Sequence, residues 1–378
     1  MMTDGSRRVV AGVDAHTDEH HAAVLDEGGR LLGTAAFPAT REGYEQLIAW
    51  VSEHGLIDRV GVESTGSFAA GLVRALAERA IVTVEVNQPH AHTRHRRGKS
   101  DPIDAELAAR AVLSAVASAI PKHTAGIVEA IRQLSVPRES AVKARSAALN
   151  QVENLIITAP DELRAELARP KTLRGKATLC LKLRPDLRRL REPAQAAKLA
   201  LRSLARRVRE LDLEINELDR QLDQLTRTAA PRTTRLLGVG SVHTSRLLIT
   251  AGQNIDRLRS EAAFARICAA APIPASSGRT IRHRLDRGGD RQANKTLHMI
   301  AVCRLRHCPR TQAYATRRTA EGLTKRDIIR CLKRYIAREL YHSLRADLTS
   351  LLPPPTPPRR ALTITCGAGP TGISSRHS

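Results

Sequence analysis

Apolar positions along the first third of the chain change their period several times, and each change marks an element. Residues 9–14 form a short apolar run ending in an acid, residues 21–25 a second run and residues 30–37 a third, with Asp-Glu-Gly-Gly at 26–29 between the last two. Short runs bounded by turn residues read as strands, and the glycine turn joins the last two as a hairpin. From 41 to 54 the spacing becomes helical, with Tyr44, Leu47, Ile48 and Val51 on one face. Residues 59–63 return to strand and again end in an acid. Residues 66–79 read as a helix, 81–86 as a fifth strand, and a further helix opens at Asp101 and runs to about 116.

The resulting order, β-β-β-α-β-α-β-α, is that of an α/β ribonuclease H-like domain. A parallel strand pair requires a crossover, which the helix at 41–54 supplies and which should be right-handed. From 120 to 185 the chain is helical and basic, interrupted by Pro121, Pro137, Pro160, Pro170 and Pro185. Leu201, Leu204, Val208, Leu211, Ile215, Leu218, Leu222 and Leu225 then alternate spacings of three and four, the repeat of a coiled-coil seam. Such a seam joins either two chains or two antiparallel helices of one chain, and pairing between chains is the expectation. Pro231 ends the coil, and a mainly α segment follows. The organisation expected is a catalytic domain at 1–120, a helical linker and coiled coil at 121–230, a C-terminal domain at 231–345 and a disordered, proline-rich tail at 346–378.

Charge narrows the partners. The 378 residues carry 61 Lys and Arg against 38 Asp and Glu, a formal net charge of +23. A field of that sign recruits polyanions through counterion release, so nucleic acid is the expected partner. Aromatics make up only 2% of the chain, and the Ala- and Leu-rich apolar set favours helices. The six cysteines form no CxxC pair, which argues against a zinc ribbon and for reduced thiols. The first residues lack an apolar leader core, and no stretch approaches the ~20 apolar residues of a membrane span. A cytoplasmic, nucleoid-associated protein without membrane contact is expected.

Four carboxylates stand at chemically suggestive places. Asp14 and Glu63 each end a strand, and those strands should lie side by side; Asp101 and Asp104 share one side of a helix start. Convergent carboxylates repel one another, and a hard divalent cation, Mg2+ or Mn2+, relieves the conflict. Singly, each acid has a structural explanation, such as Asp101 before Pro102 at a helix start. The sugar-kinase and actin-like branch of this architecture is set aside, because Ala15-His16-Thr17-Asp18 lacks a glycine-rich phosphate turn. Between the fifth strand and Asp101, Arg94, Arg96, Arg97 and Lys99 are interleaved with three histidines, and a phosphate-clamping loop is the preferred reading over a histidine metal site.

Two further segments suggest contact with nucleic acid. Gly238-Val239-Gly240 between short helices has the form of a helix-hairpin-helix turn, whose backbone amides grip a phosphate. Residues 271–299 place Ser276 and Ser277 at a turn among Arg279, Arg282, Arg284, Arg287 and Arg291. A hydroxyl in that field can attack phosphorus while the arginines stabilise the charged oxygens. From the residues alone, Ser-Ser-Gly is equally an ordinary polar turn.

Taken together, these motifs resemble those of bacterial insertion-sequence transposases of the one-ten family. The resemblance rests on VDAH around Asp14, GVEST around Glu63, KSDPIDA around Asp101 and Asp104, LLGVGSVHTSRLL at 236–248 and, most specifically, APIPASSGRTIRHRLDRGGDRQANKTLH from 271. It implies a resolvase-like first domain holding a metal-bound DEDD acidic site, and a C-terminal serine that forms a covalent bond to DNA. The serine preceding the glycine is Ser277, with Ser276 its neighbour. It further implies donor and target double-stranded DNA as substrates, a guide (bridge) RNA, and a dimer-to-tetramer assembly in which the acids of one subunit meet the serine of another.

Overall fold

The computed structural model describes residues 7–86, 100–278, 283–286 and 288–351. Its first part is a five-stranded mixed sheet of order β3-β2-β1-β4-β5, built from β1 (Arg8–Ala15), β2 (Glu19–Asp26), β3 (Leu31–Pro38), β4 (Leu56–Val62) and β5 (Thr83–Glu85). β1, β2 and β3 run as an antiparallel meander, so the hairpin expected between the second and third strands extends to the first as well. β4 and β5 continue the sheet in parallel with β1. Helices α1 (Arg41–Glu53) and α2 (Ala70–Glu78) make the crossovers. The second starts four residues later than expected because Ser64, in a left-handed conformation at φ 54°, turns the chain directly after Glu63.

Strand alternation divides the sheet residues between two helical layers. Val9, Ala11 and Val13 of β1, with Val60 and Val62 of β4, pack under Leu47, Val51, Leu72 and Leu76 of α1 and α2. The intervening positions, Val10, Gly12 and Asp14 in β1 and Gly61 in β4, face the other side. There they meet α3 (Asp101–Leu113), whose Ala108, Ala111 and Val112 bury against Val10 and Val84. Gly12 and Gly61 are register partners in the parallel pair. A Cβ on Gly12 would stand 2.2 Å from the Ala105 carbonyl and the Ala109 amide, and one on Gly61 would stand 2.9 Å from the Ala108 carbonyl. Two side-chain-free positions therefore let the backbone of α3 lie directly on the strands.

After α3 the segment 118–128 ties the sheet edge to the helical remainder. Glu85 N–H donates to Ala119 O at 2.7 Å, Arg259 to Ser118 O at 2.9 Å and the Asn254 amide to Pro121 O at 2.8 Å. Helix α4 (Gly126–Ile157) runs unbroken through Pro137, contrary to the expected interruption there. Proline inside a helix removes one hydrogen bond. Here the helix is held along its length by a partner, since α5 (Asp161–Leu167) and α6 (Leu173–Cys180) lead back to α7 (Pro193–Ala229), which lies antiparallel to it.

That pairing answers the coiled-coil question. Leu201, Val208, Ile215 and Leu222 are buried within the chain, and Arg138–Asp219 (2.5 Å) and Arg145–Asp212 (2.9 Å) flank the seam. The seam expected to join two chains is thus covered by α4 of the same chain. Leu204, Leu211, Leu218 and Leu225 lie at its half-exposed margin.

The C-terminal part packs α8 (Pro231–Thr234), α9 (Ser241–Ala251), α10 (Glu261–Ile267), α11 (Arg291–His307), α12 (Pro309–Ala320) and α13 (Lys325–Ser350) around a core that includes Leu248, Phe264, Leu297, Ile336 and Leu344. A two-stranded hairpin of β6 (Pro272–Pro274) and β7 (His283–Leu285) projects between α10 and α11. Buried Asp347 accepts the Thr233 N–H at 2.9 Å and its hydroxyl at 2.8 Å, so α13 stays ordered to Ser350, into the segment expected to be disordered from 346. The rest of that tail, from 352, lies outside the described residues. Among the described residues no helix is long and apolar enough to cross a membrane.

Gly12→Ala is expected to lower unfolding stability by about 3 kcal/mol or more, because the clash is with backbone that cannot rotate away. Urea denaturation followed by circular dichroism checks this; a variant as stable as the parent would show that α3 does not rest on Gly12.

Candidate active site

The sheet and α3 bring Asp14, Asp101 and Asp104 into one place. Asp14 occupies the α3 face near the carboxyl end of β1 and is 8% exposed. Asp104 is 2% exposed on the first turn of α3, and Asp101 stands half-open at its start. Burial pushes the Asp14 carboxyl above its ordinary pKa; His16 beside it pulls the other way, and the charges of Asp104 and Asp101 push it further up. Glu63 follows the last residue of β4, and its N–H donates to Val13 O at 3.1 Å, so it sits beside Asp14 across the parallel pair. Alternation in β4 sets Gly61 and Glu63 on the α3 side.

Two histidines join this centre that the sequence reading did not select. His16 Nε2 lies 3.3 Å from Asp14 Oδ2 and 3.4 Å from Asp101 Oδ1. His21 Nε2 lies 3.6 Å from Asp101 Oδ2 and 3.1 Å from Glu19 Oε1. His21 is the register partner of Asp14, which the strand pairing makes inevitable once β1 and β2 form a hairpin. His20 faces the opposite layer, fully buried and stacked on Tyr44, and burial lowers its pKa. Ligand atoms of Asp14, His16 and Asp101 all fall within 4.8 Å of one another, a spacing that a single cation can span. Two carboxylates and an imidazole are a donor set that a divalent cation can accept. A groove of about 450 Å³ opens beside them, with half-exposed Phe68 on its wall.

The remaining candidates lie apart. Ser276 and Ser277 are exposed after β6, followed by Gly278 at φ 54°, in the left-handed region that glycine adopts at least cost. Among the described residues no hydrogen bond or ion pair joins Ser277 to the acids. Arg284 is exposed on β7 and Arg291 is exposed at the start of α11, where Asp290 caps the helix by accepting from Gln292 and Ala293. Arg279, Arg282 and Arg287, like Arg94, Arg96, Arg97 and Lys99, lie outside the described residues.

The glycine turn leads into a helix start. Gly238, at φ 80°, leads into Gly240 at the N-cap of α9, with open space around Gly240. Yet Ser241 donates to Asp223 of α7, whose carboxyl is held below its ordinary pKa by that bond and by Arg227. A carboxylate already stands at this helix start, so a phosphate arriving there would have to displace or repel it.

Two family models and one curated relative match parts of this chain. The model of the IS110 DEDD transposase domain, described as Transposase, matches residues 11–158, and that of the Transposase IS116/IS110/IS902 family matches residues 231–316. A mini-circle protein of Streptomyces coelicolor, whose name provisionally assigns it as the transposase for IS117, is 29% identical over 212 residues. The alignment spans 54% of this chain and 50% of that protein, about half its length.

In metal-free buffer Asp14→Asn should leave thermal stability unchanged or raise it. The folded-state pKa of Asp14 is raised, so its charge opposes folding above that pKa, and the penalty disappears as pH falls through it. Added Mn2+ or Mg2+ should stabilise the parent, by about 2.7 kcal/mol at a hundredfold excess over Kd, and the variant far less. A full cation response in Asp14→Asn, read as Tm, would remove Asp14 from the site.

Proposed function

The chain belongs to the IS110 family of transposases, and from that premise we propose that it cleaves and rejoins DNA through two chemical centres, a metal-assisted acidic site on a ribonuclease H-like domain and a serine nucleophile. The observation that carries the first centre is the meeting of Asp14, His16 and Asp101 over the α3 face, with Asp104 buried beside them. The β3-β2-β1-β4-β5 order supports the ribonuclease H-like reading. Asp14, Glu63, Asp101 and Asp104 would hold Mg2+ or Mn2+. When bound, such an ion withdraws charge from phosphate oxygens as a Lewis acid. The residues themselves orient the scissile phosphate at the groove mouth, and His16, set between two carboxylates, fixes their spacing.

Ser277 is the proposed nucleophile. Its exposed turn lets Oγ bond to phosphorus as the bond to the leaving sugar oxygen breaks, with the serine proton passing to solvent or to a base. The cations Arg279, Arg282, Arg284, Arg287 and Arg291 supply charge for the developing oxyanion. Within one chain no described contact links this serine to the acids, which supports a composite centre shared between subunits of a homo-oligomer. The +23 charge supports a load of donor and target DNA together with a guide RNA.

A trapping experiment tests the serine. The protein is incubated with RNA from its own flanking sequence, labelled DNA and Mg2+, then denatured and resolved by electrophoresis. A protein–DNA adduct that disappears in Ser277→Ala is expected. Cut DNA without an adduct would make this a hydrolytic nuclease, and an adduct surviving in Ser277→Ala would move the nucleophile to Ser276 or elsewhere.

A further inference from the structure

A cavity of about 470 Å³ lies where the serine hairpin meets α13, a size suited to a small organic ligand. Its described wall carries the cations Arg284, Arg330, Lys333, Arg334 and Arg338 against one acid, Asp327. Arg330 is paired with Asp327 at 3.1 Å and Arg338 with Glu261 at 2.9 Å, while Arg284 and Arg334 have no ion pair among the described residues.

Lys333 is the more telling group. It is only 6% exposed, and its ammonium donates to the side-chain oxygen of Asn294 at 2.9 Å, with no carboxylate among the described residues paired to it. Burial, and to a lesser degree neighbouring Arg330, depress its pKa. Asn294 is itself fixed through its amide nitrogen to the carbonyls of Cys268 and Ala269, so the lysine is aimed rather than loose. A buried cation held by one neutral acceptor, on a wall where cations outnumber acids, favours an anionic ligand. Beside it Tyr335 is 57% exposed, its ring braced edge-on by Tyr314 at 5.7 Å, in a chain with only four tyrosines.

We infer that this cavity binds one nucleotide of a single-stranded nucleic acid, its phosphate against Lys333, Arg334 and Arg284 and its base on the Tyr335 ring. Every base has a face that stacks on an aromatic ring, so such a site takes a frayed or displaced strand without reading its sequence. Pro272 and Arg284, at the base of the serine hairpin, belong to the cavity wall. A strand anchored here is therefore held by the same hairpin that carries Ser277 at its turn. The inference rests on the serine reading above for its purpose, but the binding it describes requires no cleavage.

The test is fluorescence anisotropy of the full chain with a labelled single-stranded oligonucleotide, as DNA and as RNA, and with the matching duplex. Tyr335→Ala is expected to weaken single-strand binding about tenfold, to leave duplex binding unchanged, and to be rescued by Tyr335→Phe. Arg334→Gln should reduce the slope of log affinity against log salt by about one. Lys333→Met should weaken single-strand binding while leaving Tm unchanged or higher, the opposite of a merely structural lysine. Whichever of DNA and RNA binds tighter identifies the strand's source. Parental single-strand affinity in Tyr335→Ala, or equal losses on single strand and duplex, would overturn the inference. A missing serine adduct with these binding effects intact would instead count against the serine reading alone.

Discussion

The rest of the first domain depends on a missing pair of side chains. Gly12 and Gly61, adjacent across the parallel β1–β4 pair, leave room for the Ala105–Ala109 backbone to rest on the strands. Any larger residue at either place would lift α3 away from the sheet. The lift would carry Asp101 and Asp104 with it, because both stand on the first turn of that helix. Helix–sheet contact distance and acidic-site geometry are therefore one quantity, set by two glycines.

The proximity so enforced creates an electrostatic problem. Asp14 is nearly buried, feels Asp101 and Asp104 as like charges, and gains partial relief from His16. A fold does not gain stability by assembling such a cluster. The arrangement makes sense as a site whose last component is a cation. The same logic in reverse applies at the C-terminal cavity, where Lys333, Arg284 and Arg334 have no carboxylate partner among the described residues, while Arg330 and Arg338 do. At α9 a carboxylate already stands at the helix start, where Asp223 accepts from Ser241.

Much of this was legible in the chain. Among the described residues, the period changes located five strands and three helices of the sheet domain within a few residues, and the acids at strand ends pointed to the cluster. Period-two alternation also carries Asp14 and Gly12 to the same face, a signal present in the sequence but unused, as was the meaning of isolated glycines within strands. His21 could not be found without the register that sets it opposite Asp14. The heptad of α7 announced a seam but not its partner, because a leucine repeat is satisfied equally by a second chain and by α4. Pro137 misled for a related reason: local propensity argued for a break, and the long antiparallel contact overrode it. Asp223 and Lys333 were invisible because each acquires its meaning from a residue far away in sequence, Ser241 in one case and Asn294 in the other.

Cleavage measured beside binding decides whether the acids gathered by α3 carry the proposed strand cleavage. Labelled DNA carrying the element's ends is incubated with the parent, Asp14→Asn and Glu63→Gln in Mg2+ or Mn2+, while affinity for the same DNA is followed by anisotropy. Both variants are expected to bind within a few-fold of the parent, and neither to cut. Parental cutting by either variant would take that acid out of the mechanism.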